Sequence, residues 1–520
     1  MALLTVVTHP LLTAVVLPPF LFLLVRLLYR VSPFHPLAHV PGPILPRVSS
    51  LWLIYHAWIG DECTVVHGLH ERYGPIVRTG PFSVDIADGE ALHDIYSAKG
   101  GFLKAVFYGN FAIDGHASIF SEIVPEKRAP RAKAVLPLFA TGNLRTGKHV
   151  LEGIVQRFVR QVQKEAEVSR REDKAVNLLD LTRGLAVDAV TGYLFGRAYG
   201  GIEHGMSRSE KKAITAEARD GKTSSGGMSA NGMVDIFVSV GRFWYLPDWA
   251  FQWVEWLDNK FGAGSAEEVG VSIGLVDDFV AGIVNDAATA IAKEKADANV
   301  NGVTPTSYPG RLLSAGISVS ETRAQCKDLI FAGTDSTGMN LATIIFYLMT
   351  RPKTYQKLRD EVLSTEVTDL MEIQAMPYLR GVVREGLRLS MANPSRLPRV
   401  VPPSGWTFKD VSFPFGTEVS CTPYELHLNP KVFPEPLAFR PERWVEDATS
   451  NLMERDAIPF GLGPRQCIAR NLATAELFLA VKALAEQDCL QGAKAVGERI
   501  EILEWFNSHV VGEKIEAIWT

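Results

Sequence analysis

Of the five cysteines in the 520-residue chain, Cys63, Cys326, Cys421, Cys467 and Cys489, one stands in a setting suited to chemistry. An isolated cysteine is more often a small buried hydrophobe than a ligand, so its neighbours decide. Upstream of Cys467, Phe460-Gly461-Leu462-Gly463-Pro464 is too rich in glycine and proline for a regular helix. Downstream, Ile468 to Glu486 has helical character, which sets Cys467 at or just before a helix N-terminus. There the helix dipole and unpaired backbone N–H groups favour an anionic sulfur, the form a metal needs. The cysteines are odd in number, far apart and without a CxxC pair, which argues against a disulfide framework or a zinc finger and for a reducing, cytosol-facing compartment.

A second candidate lies mid-chain. Ser318 to Arg351 reads as one long helix, with a capping-box pair at Ser318 and Glu321 and a stop at Pro352. At 1.5 Å per residue it spans roughly 45 to 50 Å. Its flanks, Leu329 to Phe331 and Ile344 to Leu348, are apolar nearly all round, so it should be buried. Yet its middle, Ala332-Gly333-Thr334-Asp335-Ser336-Thr337-Gly338, puts two glycines, a carboxylate and three hydroxyls into that core. Each costs stability, and such violations tend to mark function; polar side chains bonding to their own backbone can loosen the ladder into a groove. The plainer alternative is a polar patch satisfied by neighbouring elements.

A single protein thiolate at a loop-to-helix junction suits an axial ligand to a metal whose other positions are filled, as in haem, and cannot supply a zinc site alone. The loop glycines let backbone approach a flat macrocycle, and Arg465 suits a propionate carboxylate. Here the sequence resembles the cytochrome P-450 superfamily: its Phe-x-x-Gly-x-Arg-x-Cys-x-Gly pattern is met at Phe460, Gly463, Arg465 and Cys467, with Ala469 where the family usually has glycine. Further matches follow along the chain. Glu385-Gly386-Leu387-Arg388 resembles the family's Glu-x-x-Arg pair, and Met376-Pro377-Tyr378-Leu379 and Pro441-Glu442-Arg443-Trp444 flank it as in the family. By that resemblance Arg443 joins Glu385 and Arg388 in a buried bracing network, and Arg399 contacts a haem propionate. For a second basic contact Arg128, Arg131 and Lys133 are all candidates, of which Arg131 is the expectation; surface solvation is the alternative for each. Asp335 and Ser336 match the acid and alcohol of the oxygen-activation motif, serine replacing the usual threonine, with Thr337 able to share the role.

The resemblance implies a mainly α cytochrome P-450 fold, a large helical body crossed by one long central helix, with a small β-rich region. It implies heme b held by Cys467 and a monooxygenase inserting one oxygen atom of O2 into a small hydrophobic substrate, with protons arriving through the Asp335 and Ser336 region. No dinucleotide or flavin fingerprint is present, so electrons should come from NADPH through a separate membrane-bound cytochrome P-450 reductase. The overall style resembles filamentous-fungal members that tailor terpenoid, polyketide or alkaloid scaffolds. Alternatives are a relative that isomerises or dehydrates without external reductant, which tends to lose the acid and alcohol pair, and a non-enzymatic haem-binding protein.

The surrounding chain fits a membrane-bound enzyme. With 53 basic and 58 acidic side chains the net charge is -5, and no long run of like charge marks nucleic acid as a partner. Residues 1 to 25 carry no Asp, Glu, Lys or Arg, and Arg26 and Arg30 follow. This pattern predicts a transmembrane helix over 1–30 in the endoplasmic reticulum bilayer, with the body on the cytosolic side, a cleaved signal peptide being the alternative and Pro10, Pro18 and Pro19 arguing for a kink. A proline-rich hinge over 31–47 and a catalytic domain over 48–520 follow. Residues 75 to 88 read as two short strands joined at Gly80-Pro81, and 219 to 233 and 297 to 309 as surface loops. The aromatics of 235 to 257, Phe237 to Trp256, serve either core packing or the headgroup level of a membrane.

Overall fold

In Lys148–Glu172 the apolar residues Leu151, Ile154, Val155, Phe158, Val159 and Val162 recur every three or four positions, and all of them are buried, as an amphipathic helix against a core requires. That rule organises most of the molecule. The computed structural model describes residues 10–203, 241–261, 265–296, 306–445 and 451–520. In chain order the main elements are α1 (Pro10–Val31), α2 (Glu62–Tyr73), β1 (Ile76–Arg78), β2 (Ser83–Ile86), β3 (Leu103–Lys104), α3 (Pro125–Val135), α4 (Lys148–Glu172), α5 (Leu178–Phe195), α6 (Asp248–Phe261), α7 (Ser265–Ala296), α8 (Val319–Thr350), α9 (Pro377–Ser390), β4 (Arg399–Val400), β5 (Glu418–Ser420) and α10 (Arg470–Glu486).

Helices α4, α5, α8, α9 and α10 pack on one another as the helical core. A five-stranded sheet, order β1-β2-β5-β4-β3, stands beside it. Only β2 and β5 run parallel; the expected pair over 75–88 is antiparallel, with Ile76 opposite Ile86. Register matters most at the sheet's other edge, where Lys104 of β3 lies directly opposite Arg399 of β4. Like charges facing across strands are destabilising, so this pairing needs an explanation beyond the fold.

Helix α8 matches its expected bounds within a residue, and Ser318 caps it by accepting from the Glu321 N–H at 3.2 Å. The reciprocal half of the capping box is absent, because the Glu321 carboxylate pairs with Arg131. Nor does the polar middle loosen the helix, which is continuous through 332–338. Its glycines serve close packing: a Cβ at Gly333 would meet Val190 at 2.6 Å, and one at Gly338 would meet the Arg183 backbone at 2.9 Å. Both contacts are with α5, which glycine lets approach.

The N-terminal expectation needs correction. Among the described residues no helix is long and apolar enough to cross a membrane, and residues 1–9 lie outside them. Helix α1 holds Pro18 and Pro19 inside and Arg30 in its last turn, and from Leu17 its large apolar side chains are exposed. Its end is tied to the body, since Arg78 donates to the Arg30 carbonyl at 3.2 Å and Arg30 to the Val48 carbonyl. The proline-rich stretch is likewise docked, with Leu37 and Val40 fully buried in the sheet's apolar cluster. The loop expected over 219–233 and most of that over 297–309 lie outside the described residues, as does Phe237.

The remaining aromatics divide between the two expected roles. Trp244 and Tyr245 are core residues, whereas Trp249, Trp253 and Trp256 stand exposed on α6. Spacing alone could not separate them, because burial depends on which face of each short segment meets the rest of the chain.

Candidate functional site

The loop before α10 is shaped by two glycines in the left-handed region, Gly461 at φ 68° and Gly463 at φ 72°. At Gly463 space matters as much as conformation: a Cβ there would lie 1.9 Å from the Tyr96 carbonyl oxygen. The loop closes when the Cys467 N–H donates to the Phe460 carbonyl at 2.9 Å; Phe460 itself packs against the helical core. Cys467 is exposed, while the other four cysteines are buried. Although its surface is accessible, the thiol is surrounded by protein, and that desolvation raises its pKa; the Ala469 N–H and the Arg470 charge act in the opposite direction. Helix α10 begins at Arg470 with Ala469 as its cap at φ -90°, an ordinary conformation that explains why alanine serves where the family has glycine.

A buried ionic network braces this loop. The Glu385 carboxylate accepts from Arg388 at 2.9 and 2.8 Å, Arg443 at 2.9 Å, the Trp444 indole at 2.9 Å and the Arg440 N–H at 3.0 Å. Arg388 also donates to the carbonyls of His427 at 2.8 Å and Pro436 at 2.7 Å. The His427 ring then links helix to loop: Nδ1 lies 3.2 Å from the Arg388 carbonyl, and Nε2 accepts the Ile458 N–H at 2.9 Å. Those partners require a neutral ring with its proton on Nδ1, and burial together with the Arg388 charge lowers its pKa to about 3.

Arg399 and Arg465 meet in a cation cluster that the sequence did not fully disclose. Its other members are Lys104 and Arg128. Arg399 donates to the Pro398 carbonyl at 3.0 Å and towards Tyr108 Oη at 3.4 Å, Arg128 to the Ile119 carbonyl at 3.0 Å, Lys104 to the Phe120 carbonyl at 2.7 Å, and Arg465 to the Glu122 carbonyl. None of the four forms an ion pair with a carboxylate among the described residues. Burial first, then the Arg399, Arg465 and Arg128 charges, push the Lys104 pKa well below its ordinary value; the same causes bring Arg465 down to about 10. Arg131 is not part of this group, since its guanidinium is taken up by Glu321 and by Glu122 at 3.5 Å. Arg128, one turn earlier on α3, stands in the cluster instead. A lone lysine in the apolar run Gly101-Phe102-Leu103-Lys104-Ala105-Val106 was the available signal.

On α8, Asp335 is 2% exposed and accepts from Arg183 of α5 at 2.6 and 3.1 Å. Ser336 is half-buried, its hydroxyl donating to the Ala332 carbonyl at 2.9 Å, and Ala332 itself is exposed. Thr337 is buried. Arg183 lies 152 positions from its partner, and nothing in the local pattern announces it.

Two chemical features thus coexist: an accessible sulfur at a glycine-rich bend, and four cations, Lys104 and Arg399 buried and Arg128 and Arg465 half-buried, none of them ion-paired to a carboxylate among the described residues. They fit a macrocycle that offers a metal to the one and two carboxylates to the other, as haem does. The comparisons with known proteins agree. A family model described as cytochrome P450 matches residues 41–486. The chain is 40% identical to the cytochrome P450 monooxygenase mfmF of Annulohypoxylon moriforme, over 98% of this chain and 99% of that protein. It is 28% identical to the cytochrome P450 monooxygenase BOT1 of Botryotinia fuckeliana, over 90% and 88% of the two chains, and 28% identical to a pisatin demethylase of Fusarium vanettenii, over 86% and 82%.

Proposed function

The chain belongs to the cytochrome P450 family, and from that premise we propose that it is a haem monooxygenase placing one oxygen atom of O2 on a small hydrophobic substrate in secondary metabolism. The observation that carries this reading is the pairing of an accessible Cys467 with the cation cluster of Lys104, Arg128, Arg399 and Arg465, none of which is ion-paired among the described residues. Haem b, when bound, supplies O2 activation through its iron, and electron donation from a thiolate favours cleavage of the O–O bond. Cys467 would hold the iron, and coordination deprotonates a thiol outright, which would overcome the desolvation that raises this thiol's pKa. Lys104, Arg128, Arg399 and Arg465 would receive the two propionates, each side offsetting the other's burial cost.

Proton delivery falls to α8. Ser336 carries the hydroxyl on the accessible stripe of the helix, and a hydroxyl can both accept and donate. Asp335 is tied to the Arg183 guanidinium by two hydrogen bonds, so it joins a proton relay only by loosening that pair. Serine lacks the methyl that restricts threonine's rotamer, which makes delivery less tightly controlled. Retention of this acid and alcohol pair favours monooxygenation over reductant-free isomerisation. Electrons come from NADPH through a separate reductase.

The exposed apolar face of α1 and the exposed Trp249, Trp253 and Trp256 of α6 support attachment to the endoplasmic reticulum membrane, aromatic rings being favoured at headgroup level. Flotation of the full chain with phosphatidylcholine vesicles, weakened by replacing the three tryptophans with serine, tests that part. The central reading is tested by Cys467→Ser, which should abolish the red-shifted carbon-monoxide absorption of the reduced protein; an unchanged spectrum rejects the ligand assignment.

A further inference from the structure

Ser336, Asn340, Thr343, Tyr347 and Thr350 follow one another at spacings of three or four on α8 and therefore share one face. The face is interrupted at Asn340, whose Oδ1 accepts from the Ser390 hydroxyl at the end of α9 in a buried contact. Beyond that bar, Thr343, Tyr347 and Thr350 line a cavity of about 620 Å³, whose other walls come from Leu389 and Met391 after the core of α9, from Leu428, and from Ile500 and Ile502. Small-molecule sites occupy roughly 300–1,000 Å³. Ser336, Arg399 and Cys467 are not among its lining residues, and Thr343 already lies about 10 Å along α8 from Ser336 at 1.5 Å per residue. The cavity is therefore separate from the space between α8 and the cysteine loop.

Its walls describe an occupant. Leu389, Leu428, Ile500 and Ile502 are only half-buried, which leaves an apolar lining that the chain itself does not cover. Thr343 is 2% exposed, yet its hydroxyl has no partner, although Thr334 and Thr350 on the same helix donate to the carbonyls of Ile330 and Phe346 at 2.7 and 3.0 Å. Arg351 sets the charge. Its guanidinium lies 4.7 Å from the centre of the Tyr347 ring and 5.9 Å from that of Phe439, and Nη1 donates to the Thr350 hydroxyl at 2.9 Å. It forms no ion pair among the described residues, and being half-buried against two rings it is poorly reached by solvent. The other charged groups of the wall are weaker claimants. Arg499 is paired with Glu501 at 2.6 Å, and Glu498 is exposed, where water and salt screen it.

We propose that this cavity is a second binding site, for a small apolar carboxylic acid whose carboxylate meets Arg351 and whose body lies on Leu389, Leu428 and Ile500. The site goes beyond the haem reading and does not depend on it. The probe is phenylbutyrate carrying a para-trifluoromethyl group, with the matching alcohol and ammonium compounds, followed by fluorine NMR on the full-length haem-loaded protein with its iron saturated by phenylimidazole. The acid should bind with phenylimidazole in place, about tenfold more tightly than the alcohol, because a hydrogen bond between charged groups outweighs a neutral one. Arg351→Met should bring acid and alcohol within about threefold of each other, and Ile500→Trp, which fills the cavity, should weaken both by about tenfold or more. Absence of acid binding, displacement of the acid by phenylimidazole, an alcohol or ammonium compound that binds as tightly, or a preference that survives in Arg351→Met overturns the proposal. Unchanged binding in Ile500→Trp is equally fatal, and that variant decides should Arg351→Met fail to fold. Protein that holds no haem sinks the haem reading alone, since the acid is then titrated without phenylimidazole and judged by the same two variants.

Discussion

Replacing Glu385 with glutamine changes one atom and should nonetheless remove a large share of the stability of the loop-bearing half of the core. Two carboxylate oxygens accept five N–H donors: Oε1 takes Arg388 Nη2, Arg440 N and Arg443 Nε, and Oε2 takes Arg388 Nε and the Trp444 indole. A glutamine oxygen can stand at only one of those positions. Its amide nitrogen then faces two donors or three, and two guanidiniums exposed by 0% and 4% lose their counter-charge. Breaking one partner out of a buried ion pair costs about 3–5 kcal/mol, and each orphaned donor about 1–3 kcal/mol. These overlap, so the expected loss is about 4 kcal/mol, against a typical total of about 5–15 kcal/mol. Urea unfolding of haem-loaded wild type and variant, followed by tryptophan fluorescence and by haem absorption, reads the change. Both midpoints should fall together, because the network spans α9, Pro434 to Trp444 and the cysteine loop. A loss under about 1 kcal/mol, or haem release with the fluorescence transition unmoved, would refute the reasoning.

Other consequences can be checked one at a time. His427 is neutral in the fold, with its pKa lowered from 6.5 to about 3, so the unfolded chain gains a proton first as pH falls: stability is full above about pH 6.5, declines below it, and at pH 5 is lower by about 2 kcal/mol. Denaturant midpoints across that range should show this slope in wild type and lose it in His427→Asn; parallel curves count against it. Gly463→Ala puts a Cβ 1.9 Å from the Tyr96 carbonyl and should prevent haem retention, while Gly461→Ala, whose nearest atom is 3.8 Å away, should cost only the left-handed strain of about 1–2 kcal/mol. Lys104→Met should release haem to apomyoglobin about tenfold faster yet raise the melting temperature of the haem-free protein, since it removes a buried charge that has no ion-pair partner and stands among three guanidiniums. A slower haem loss, or a less stable haem-free form, excludes the propionate role.

The legible parts of this protein were those whose cause is local. A glycine-rich bend ending at Cys467, and a helix cap at Ser318 with a proline after Arg351, announce themselves in consecutive residues because backbone conformation and helix termini are decided within a turn or two. Short motifs at Glu385 and Arg443 were visible for the same reason, although only their resemblance to a family indicated that they meet.

Partnership across the fold was not readable. Arg183 and Asp335 are adjacent because α5 presses on α8 at two glycines; Lys104 faces Arg399 because two short strands share a register; Arg128 reaches the cation cluster while Arg131, on the next turn, is claimed by Glu321. Each depends on which face of one element another element covers, and that is fixed by the sum of many weak apolar contacts rather than by any residue's type. The cysteine loop, the long helix with its polar middle and the class of chemistry were all readable from consecutive residues. Tertiary packing settled which charges are paired and which stand without a carboxylate.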